Sequence, residues 1–597
     1  MKKREPKLKE KITEIKEKRN KISEKIFRNK EKEPKIKEKT SKNKESKSKI
    51  SNSVKFTILA IILIIIFCIS ITPVTLQNDT FYTIKIGEHI DKYGIDMQDP
   101  FSWHQDLSYT YPHWGYDLIT YYIYSAFGMT GIYVTTCILS CLLGLSIYLV
   151  NTKLAKNQVI SFLVTIGAMY LIRSYITARA QLVTFILFIL TIYFIEKFIE
   201  TRKKRYAVGL IIIPIIIANL HVAVFPFYFV LYLPYIAEYI IALLGEIVFY
   251  KKNKIKLLKR KIKRLEKNGN NQEKIEILQA KLKLIEEKSD KIKIRRSKEL
   301  RNPYKIKLEK RDNVKWIIII MIICIFTGFL TPLGTTPYTY LVKTMEGNTT
   351  QNINEHLPMT ITNEKEVMCA LAIFLIILLF TKTKIRLTDL FMLSGLTYLM
   401  LSARRQVAIF GIICSIILNR IIMNFSEIYK FDIEKKALKI ATGKIGMILI
   451  SIIMLIFSWY MVKDKLDDTF VDETAYPVKA CDFILENIDL GEARFYNEYN
   501  YGSYMLFRGI PVFIDSRADL YAPEFNGKNE DIFSDFINTS GIGTFYEDTF
   551  DKYNITHIIT YKNSKMNMII TKTNDPKCKL LYVDDYFAVY ERVNTEE

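Results

Sequence analysis

The chain has 597 residues, 49% of them apolar, and a formal net charge of +23. The apolar residues gather in runs of bilayer-crossing length, which excludes an ordinary water-soluble enzyme. The charge is no nucleic-acid footprint: residues 1–50 hold 21 Lys or Arg against 9 acids and residues 251–313 hold 24 against 9, so +12 and +15 leave −4 for everything else. Both basic blocks flank apolar runs, and the positive-inside rule places both in the cytoplasm, facing anionic lipid headgroups rather than nucleic acid.

Residues 1–53 are rich in Lys, Glu and Ser and read as a low-complexity cytoplasmic tail. The first apolar run, Phe56 to Pro73, carries no charge and is preceded by no small-residue cleavage site, so it reads as a retained helix. About eleven spans are expected in all, near 56–75, 131–150, 158–173, 181–198, 206–220, 222–247, 314–331, 366–381, 387–402, 405–423 and 444–462. They divide into an N-terminal membrane region, 54–250, with a large outer loop at 77–130, and a C-terminal one, 314–463. Between them, 251–313 reads as a basic cytoplasmic helical hairpin around an NGNN turn. With the N-terminus inside, an odd number of spans puts residues 464–597 outside. That tail alternates strand-like PVFIDS (511–516), THIITY (556–561) and KLLYVDDYFAVYE (579–591) with an amphipathic helix at 476–488. The expected fold class is an all-α polytopic membrane bundle with a small extracytoplasmic C-terminal α/β domain, in the cell membrane.

Cysteine usage adds little. Six of eight cysteines lie in or beside apolar runs, and Cys481 with Cys578 in the tail can form at most one disulfide.

The expected outer loops hold the chemistry. Loop 77–130 carries Asp79, Glu88, Asp91, Asp96, Asp99, Asp106 and Asp117 with His89, His104 and His113. Later turns bring Arg173 and Arg179, then His221, then INEHLPM, then Arg404 and Arg405. Charges at membrane depth are costly and face a cavity or a partner. A carboxylate at Asp79, shielded by Phe81 and Tyr82, suits a general base. Arginine forks suit a phosphate. The plain alternatives are a helix cap for Asp79, headgroup anchors for Arg404 and Arg405, and a satisfied interhelical hydrogen bond for His221. No cofactor is called for. A divalent metal on the loop acids and histidines is an open alternative, although the loop holds no HxxxH or DxD. In the tail, Asp515, Arg517 and Asp519 read equally as a ligand site or as a salt-bridged corner. Tyr496, Tyr499, Tyr501 and Tyr504 read as sugar-stacking faces or as docking contacts.

The stretch NDTFYTIKIGEHIDKYGIDMQDPFSWHQDLSYTYPHWGYD, with ARAQL (178–182), ANLH (218–221), SARRQVAIF (402–410) and FYNEYNYGSYMLFRGIPVFIDSRADLY (495–521), resembles bacterial polytopic proteins of the GT-C glycosyltransferase superfamily. Ala180 stands where a proline is common there, and Ser503 where a second glycine is. The resemblance implies a polyprenyl-phosphate-linked sugar as donor and transfer at the outer leaflet to a hydroxyl on an envelope glycan or lipid acceptor, with inversion. It implies Asp79 as catalytic base, with Glu88, His113, Arg179, His221, Arg404 and Arg405 binding substrate. Two rivals remain open: a lipid-linked glycan transporter or flippase, and a non-catalytic envelope assembly protein.

Overall fold

The computed structural model describes residues 51–248, 251–267, 275–283, 305–309, 311–360, 362 and 364–593. The basic tail therefore lies outside the described residues, as does the NGNN turn between the helical stretches 251–267 and 275–283.

Among the described residues, six helices are long and apolar enough to cross a membrane, one of them α1 (Asn52–Ile71), which carries the uncharged run from Phe56 to its end. After α1 the chain does not enter an open loop. Residues Asn78–Tyr93 form α2, and α3 runs from Trp114 to Ala155 with a bend at Gly128, whose φ of 63° is open to glycine at little cost. The outer loop expected at 77–130 is thus largely helical, because Phe81, Ile84, Ile86 and Ile90 recur at helical spacing and are buried. Further on come α4 (Ala180–Thr201), α5 (Val407–Ile428) and α6 (Lys444–Val462). Shorter apolar helices at Val159–Leu171, Val314–Phe329 and Leu387–Ser402 pack among them.

Helices α2 and α3 pack closely enough that a Cβ on Gly87 would collide with the Asp117 carbonyl and meet the Tyr121 Cβ at 2.6 Å. Gly87 therefore fixes the registry between the helix bearing Asp79 and the helix behind His113.

At the end of the bundle away from the α/β domain, a buried ionic network ties the helices. Glu196 of α4 takes Arg386 at 2.7 Å and Arg420 of α5 at 3.1 Å, Asp389 takes the same two arginines at 2.7 and 2.8 Å, and Glu238 takes Arg311 at 2.9 Å. Three acids and three arginines balance, the condition under which buried charge is tolerable.

The C-terminal domain holds a four-stranded sheet of β1 (Phe495–Tyr496), β2 (His557–Tyr561), β3 (Cys578–Val583) and β4 (Phe587–Arg592), in the order β1-β2-β4-β3. β1 is parallel to β2, and the other pairings are antiparallel. The expected helix forms at Val478–Asn487. PVFIDS is not a strand. Val512 makes a single parallel bridge to Ser102, and side chains satisfy the backbone beyond it: Asn497 donates to the Ile514 carbonyl at 2.7 Å and accepts from Phe513 N at 2.8 Å, and His104 Nε2 donates to the Phe513 carbonyl at 2.9 Å. Cys481 and Cys578 are both free thiols.

The domain sits on α2. Asn78 Nδ2 donates to the Tyr499 carbonyl at 2.9 Å, and Phe81 packs edge-on against Tyr476 and Tyr504. Trp103 Nε1 donates to the Phe495 carbonyl at 3.0 Å. Between these contacts and the helix mouths lies the main cavity.

Candidate functional site

The cavity has a volume of about 650 Å³ and is walled by both the bundle and the C-terminal domain. Asp79, His113, Arg179, His221 and Arg405 all line it. They come from five separate places in the chain, each set by a helix end: Asp79 in the first turn of α2, His113 just ahead of α3, Arg179 just ahead of α4, His221 after Lys204–Leu220, and Arg405 just ahead of α5.

Asp79 Oδ2 lies 2.8 Å from Arg179 Nε. Arg179 Nη1 in turn donates to both oxygens of Glu355, at 3.1 and 3.2 Å. One guanidinium thus joins two carboxylates. Of the two aromatics expected to shield Asp79, Phe81 packs at the domain interface and the Tyr82 hydroxyl lies against His113, while the Asp79 side chain is 21% exposed. Arg405 is held differently. Its Nη1 meets Nε2 of His356 at 2.9 Å, and the ring must accept because the guanidinium can only donate. Burial, then the Arg405 charge, pull His356 down to about 3, which keeps it the neutral acceptor. The Arg405 side chain therefore hydrogen-bonds to an imidazole, with Glu355 and Asp519 near enough to act on its charge.

Glu355 and His356 are the residues that the sequence reading passed over. They arrive on one segment stitched to the α5 mouth by main-chain bonds: Arg405 N to Glu355 O at 3.1 Å, Arg404 N to Leu357 O at 3.0 Å and Met359 N to Leu401 O at 3.1 Å. The only sequence signal was the INEHLPM stretch, whose acid and imidazole are adjacent.

Two proposed binding residues are not brought to the cavity. Glu88 pairs with Lys85 at 2.6 Å and Lys92 at 2.7 Å on its own helix, two turns past Asp79 and on a different face. Arg404 lies outside the lining, with its backbone carbonyl accepting from the Tyr175 hydroxyl at 2.8 Å. Adjacent residues at a helix start point apart, so Arg405 faces inward and Arg404 does not.

His113 Nδ1 lies 2.6 Å from Asp117 Oδ1, and its Nε2 lies 3.1 Å from the Tyr82 hydroxyl. Burial is the largest single influence and pulls the imidazole down, but the Asp117 charge, the Asp117 hydrogen bond and the Asp79 charge together exceed it and the net shift is upward. His221 Nδ1 lies 2.8 Å from Thr184 Oγ1, the interhelical hydrogen bond that the plain alternative expected, and burial followed by the His113 and Arg405 charges takes it down to about 3.

In the domain, Asp515 and Arg517 form a salt-bridged corner. Arg517 Nη2 pairs with Asp515 at 2.7 Å and Nη1 with Asp99 at 2.6 Å, and the three side chains are 2%, 0% and 0% exposed. Asp519 lines the cavity and accepts from the Tyr340 hydroxyl. Tyr496, Tyr501 and Tyr504 are buried in the domain core, so of the four tyrosines only Tyr499 lines the cavity. Among the described residues, no group of three His, Cys, Asp or Glu side chains is placed to hold a metal ion.

His104 carries a testable pH effect at the domain interface. Burial pulls it down to about 4, against an ordinary value of 6.5. Below pH 6.5 the unfolded chain binds the proton and the folded one does not, so the stability that His104 contributes above that pH is lost as pH falls toward 4. In thermal unfolding of the detergent-solubilised protein, the advantage of the natural chain over His104→Phe is expected to shrink steadily from pH 7.5 to pH 5.

No protein-family model matches this chain, and no curated protein matches it. Among solved structures, the apo crystal structure of the Archaeoglobus fulgidus oligosaccharyltransferase is similar, with a TM-score of 0.49 and 11% identity over 93% of this chain and 76% of that one. By length and composition, the six long apolar helices are those of a membrane protein.

Proposed function

We propose that this protein is an integral-membrane glycosyltransferase that moves a sugar from a polyprenyl-phosphate carrier to a hydroxyl acceptor at the outer leaflet. The observation that carries the reading is the convergence of Asp79, Arg179 and Arg405 on one cavity at the helix mouths. Arg405 holds the phosphate, since its forked donors match phosphate oxygens and its side chain hydrogen-bonds to the neutral His356 ring. Arg179 fixes Asp79 and, through Glu355, the segment beside Arg405. Asp79 takes the proton of the acceptor hydroxyl as that oxygen attacks the anomeric carbon and the carrier phosphate leaves. The cavity is lined by both the bundle and the C-terminal domain, so donor and acceptor have different walls to bind to in this reading. The N-terminus is cytoplasmic and the C-terminal domain extracytoplasmic in this reading. Residues 251–313, basic and cytoplasmic, take no part in the chemistry.

A transporter requires polar groups along a path through the bundle. Here the buried charges instead form a balanced cluster at the end away from the cavity, which favours the transferase. The test is a mass-spectrometric comparison of polyprenyl-phosphate sugars in cells with and without this protein. Deletion is expected to make one such sugar accumulate, and unchanged pools would falsify the reading.

A further inference from the structure

Tyr82, His113 and Asp117 form a file of groups leading from the cavity wall into the protein. Asp79 and Tyr82 are one turn apart on the same face of α2, and both line the cavity. The Tyr82 hydroxyl is 3.1 Å from His113 Nε2, and His113 Nδ1 is 2.6 Å from Asp117 Oδ1, on a side chain that is 0% exposed. A carboxylate accepts, so Nδ1 carries the hydrogen. In the neutral ring Nε2 is then an acceptor, and the Tyr82 hydroxyl donates to it. Burial pushes the Tyr82 phenol well above its ordinary value, which keeps that hydrogen in place at rest. The charged and titratable groups around His113 are Asp79 and Tyr82 from α2, Asp117 from α3, Arg179 ahead of α4 and His221. His221 stays neutral; burial pushes the Asp117 carboxyl up, the His113 charge and hydrogen bond oppose that shift, and Asp117 is the group placed to compensate a cation on His113.

The geometry points to a proton relay: the proton that Asp79 takes from the acceptor passes to the Tyr82 oxygen as the Tyr82 proton moves to His113 Nε2. This rests on the transferase reading of the same cavity. The acceptor O–H bond and the bond from anomeric carbon to carrier oxygen break, and a bond from acceptor oxygen to anomeric carbon forms. The phosphate leaves with the electron pair. Asp79 is ionised again, Tyr82 is neutral, and His113 is an imidazolium against Asp117. The relay has a reason in the site, because an Asp79 that keeps the proton forfeits its ion pair with Arg179, and passing it on restores the pair. The imidazolium later returns its proton to cavity water through Tyr82. His113 touches no reacting atom in this scheme and is a relay residue.

Two measurements on the full chain in phosphatidylglycerol–phosphatidylethanolamine bilayers test it. The first follows ¹⁵N-labelled histidine by NMR, with the His113 signal assigned by its loss in His113→Asn. His113 is expected to protonate above the pH of free imidazole, and Asp117→Asn to lower its midpoint by about one unit or more. A midpoint unmoved by Asp117→Asn overturns the relay. The second follows sugar release from undecaprenyl-phosphate-glucose, with water as acceptor, across pH. The acid limb of the rate is expected to follow the His113 midpoint and to move with it in Asp117→Asn, and Tyr82→Phe is expected to lower kcat on the order of 100-fold with KM unchanged. An acid limb that ignores Asp117→Asn, with turnover intact, overturns the relay and leaves the transferase reading standing. No release by the natural protein from this donor or from its own membrane's polyprenyl-phosphate sugars overturns both.

Discussion

Asp79→Asn is expected to cut sugar transfer by at least about 100-fold while the protein still inserts and folds. A positioned general base contributes roughly 10²–10⁴-fold, and asparagine keeps the shape of the side chain without its basicity. The change also removes the charge opposite Arg179, but Glu355 remains on that guanidinium at 3.1 Å, so the arginine is not left alone in the cavity. Glu355→Gln is therefore the control: it loosens the same arginine from the other side and is expected to cost far less. The measurement is transfer from the donor identified by the cellular comparison, with insertion checked by size-exclusion profile. Full activity in Asp79→Asn ends the assignment of Asp79 as base.

Arg517→Leu is expected to have the largest effect on stability. It strands Asp515 and Asp99, both 0% exposed, without their shared counter-charge. Removing one partner of a buried ion pair costs about 3–5 kcal/mol. The loss falls on the joint between the segment after α2 and the C-terminal domain, so limited proteolysis should cut near residue 100 before it cuts the bundle. A melting temperature and a cleavage pattern like those of the natural protein would show that the corner is not what holds the domain. Asp515→Asn, which keeps the Tyr521 hydroxyl as a hydrogen-bond partner at that site, should cost less.

The two variants separate the two parts of the molecule that meet at the cavity. One leaves the architecture intact and removes chemistry. The other leaves the cavity-lining acids in place and loosens the wall that the domain supplies.

Much of this was legible in consecutive residues. The charge-free run from Phe56 to Pro73 lies in a helix apart from its last residues, since a helix in hydrocarbon satisfies its own backbone. The tail's hairpin, β3 and β4, follows from the apolar and β-branched residues on either side of Asp584 and Asp585. PVFIDS departs from the expected strand for a physical reason: four buried residues in a row look like a central strand, but the side chains of Asn497 and His104 supply hydrogen-bond partners there. Nothing local announces that exchange. The stretch 77–130, expected as an outer loop, holds a helix that its polar residues conceal, with Phe81, Ile84 and Ile90 buried on it.

What the sequence alone determined is the set of apolar helices, the segregation of positive charge and the kinds of group available at the helix mouths, because each of these depends on neighbours along the chain. What tertiary structure decided is which of those groups meet. Asp79 finds Arg179 a hundred residues away, Arg179 finds Glu355 a further 176 away, and Arg405 turns inward while Arg404 turns aside. Those choices are set by how helices pack against one another, as at Gly87 on Asp117, and packing is a property of pairs of surfaces that no single stretch of sequence contains.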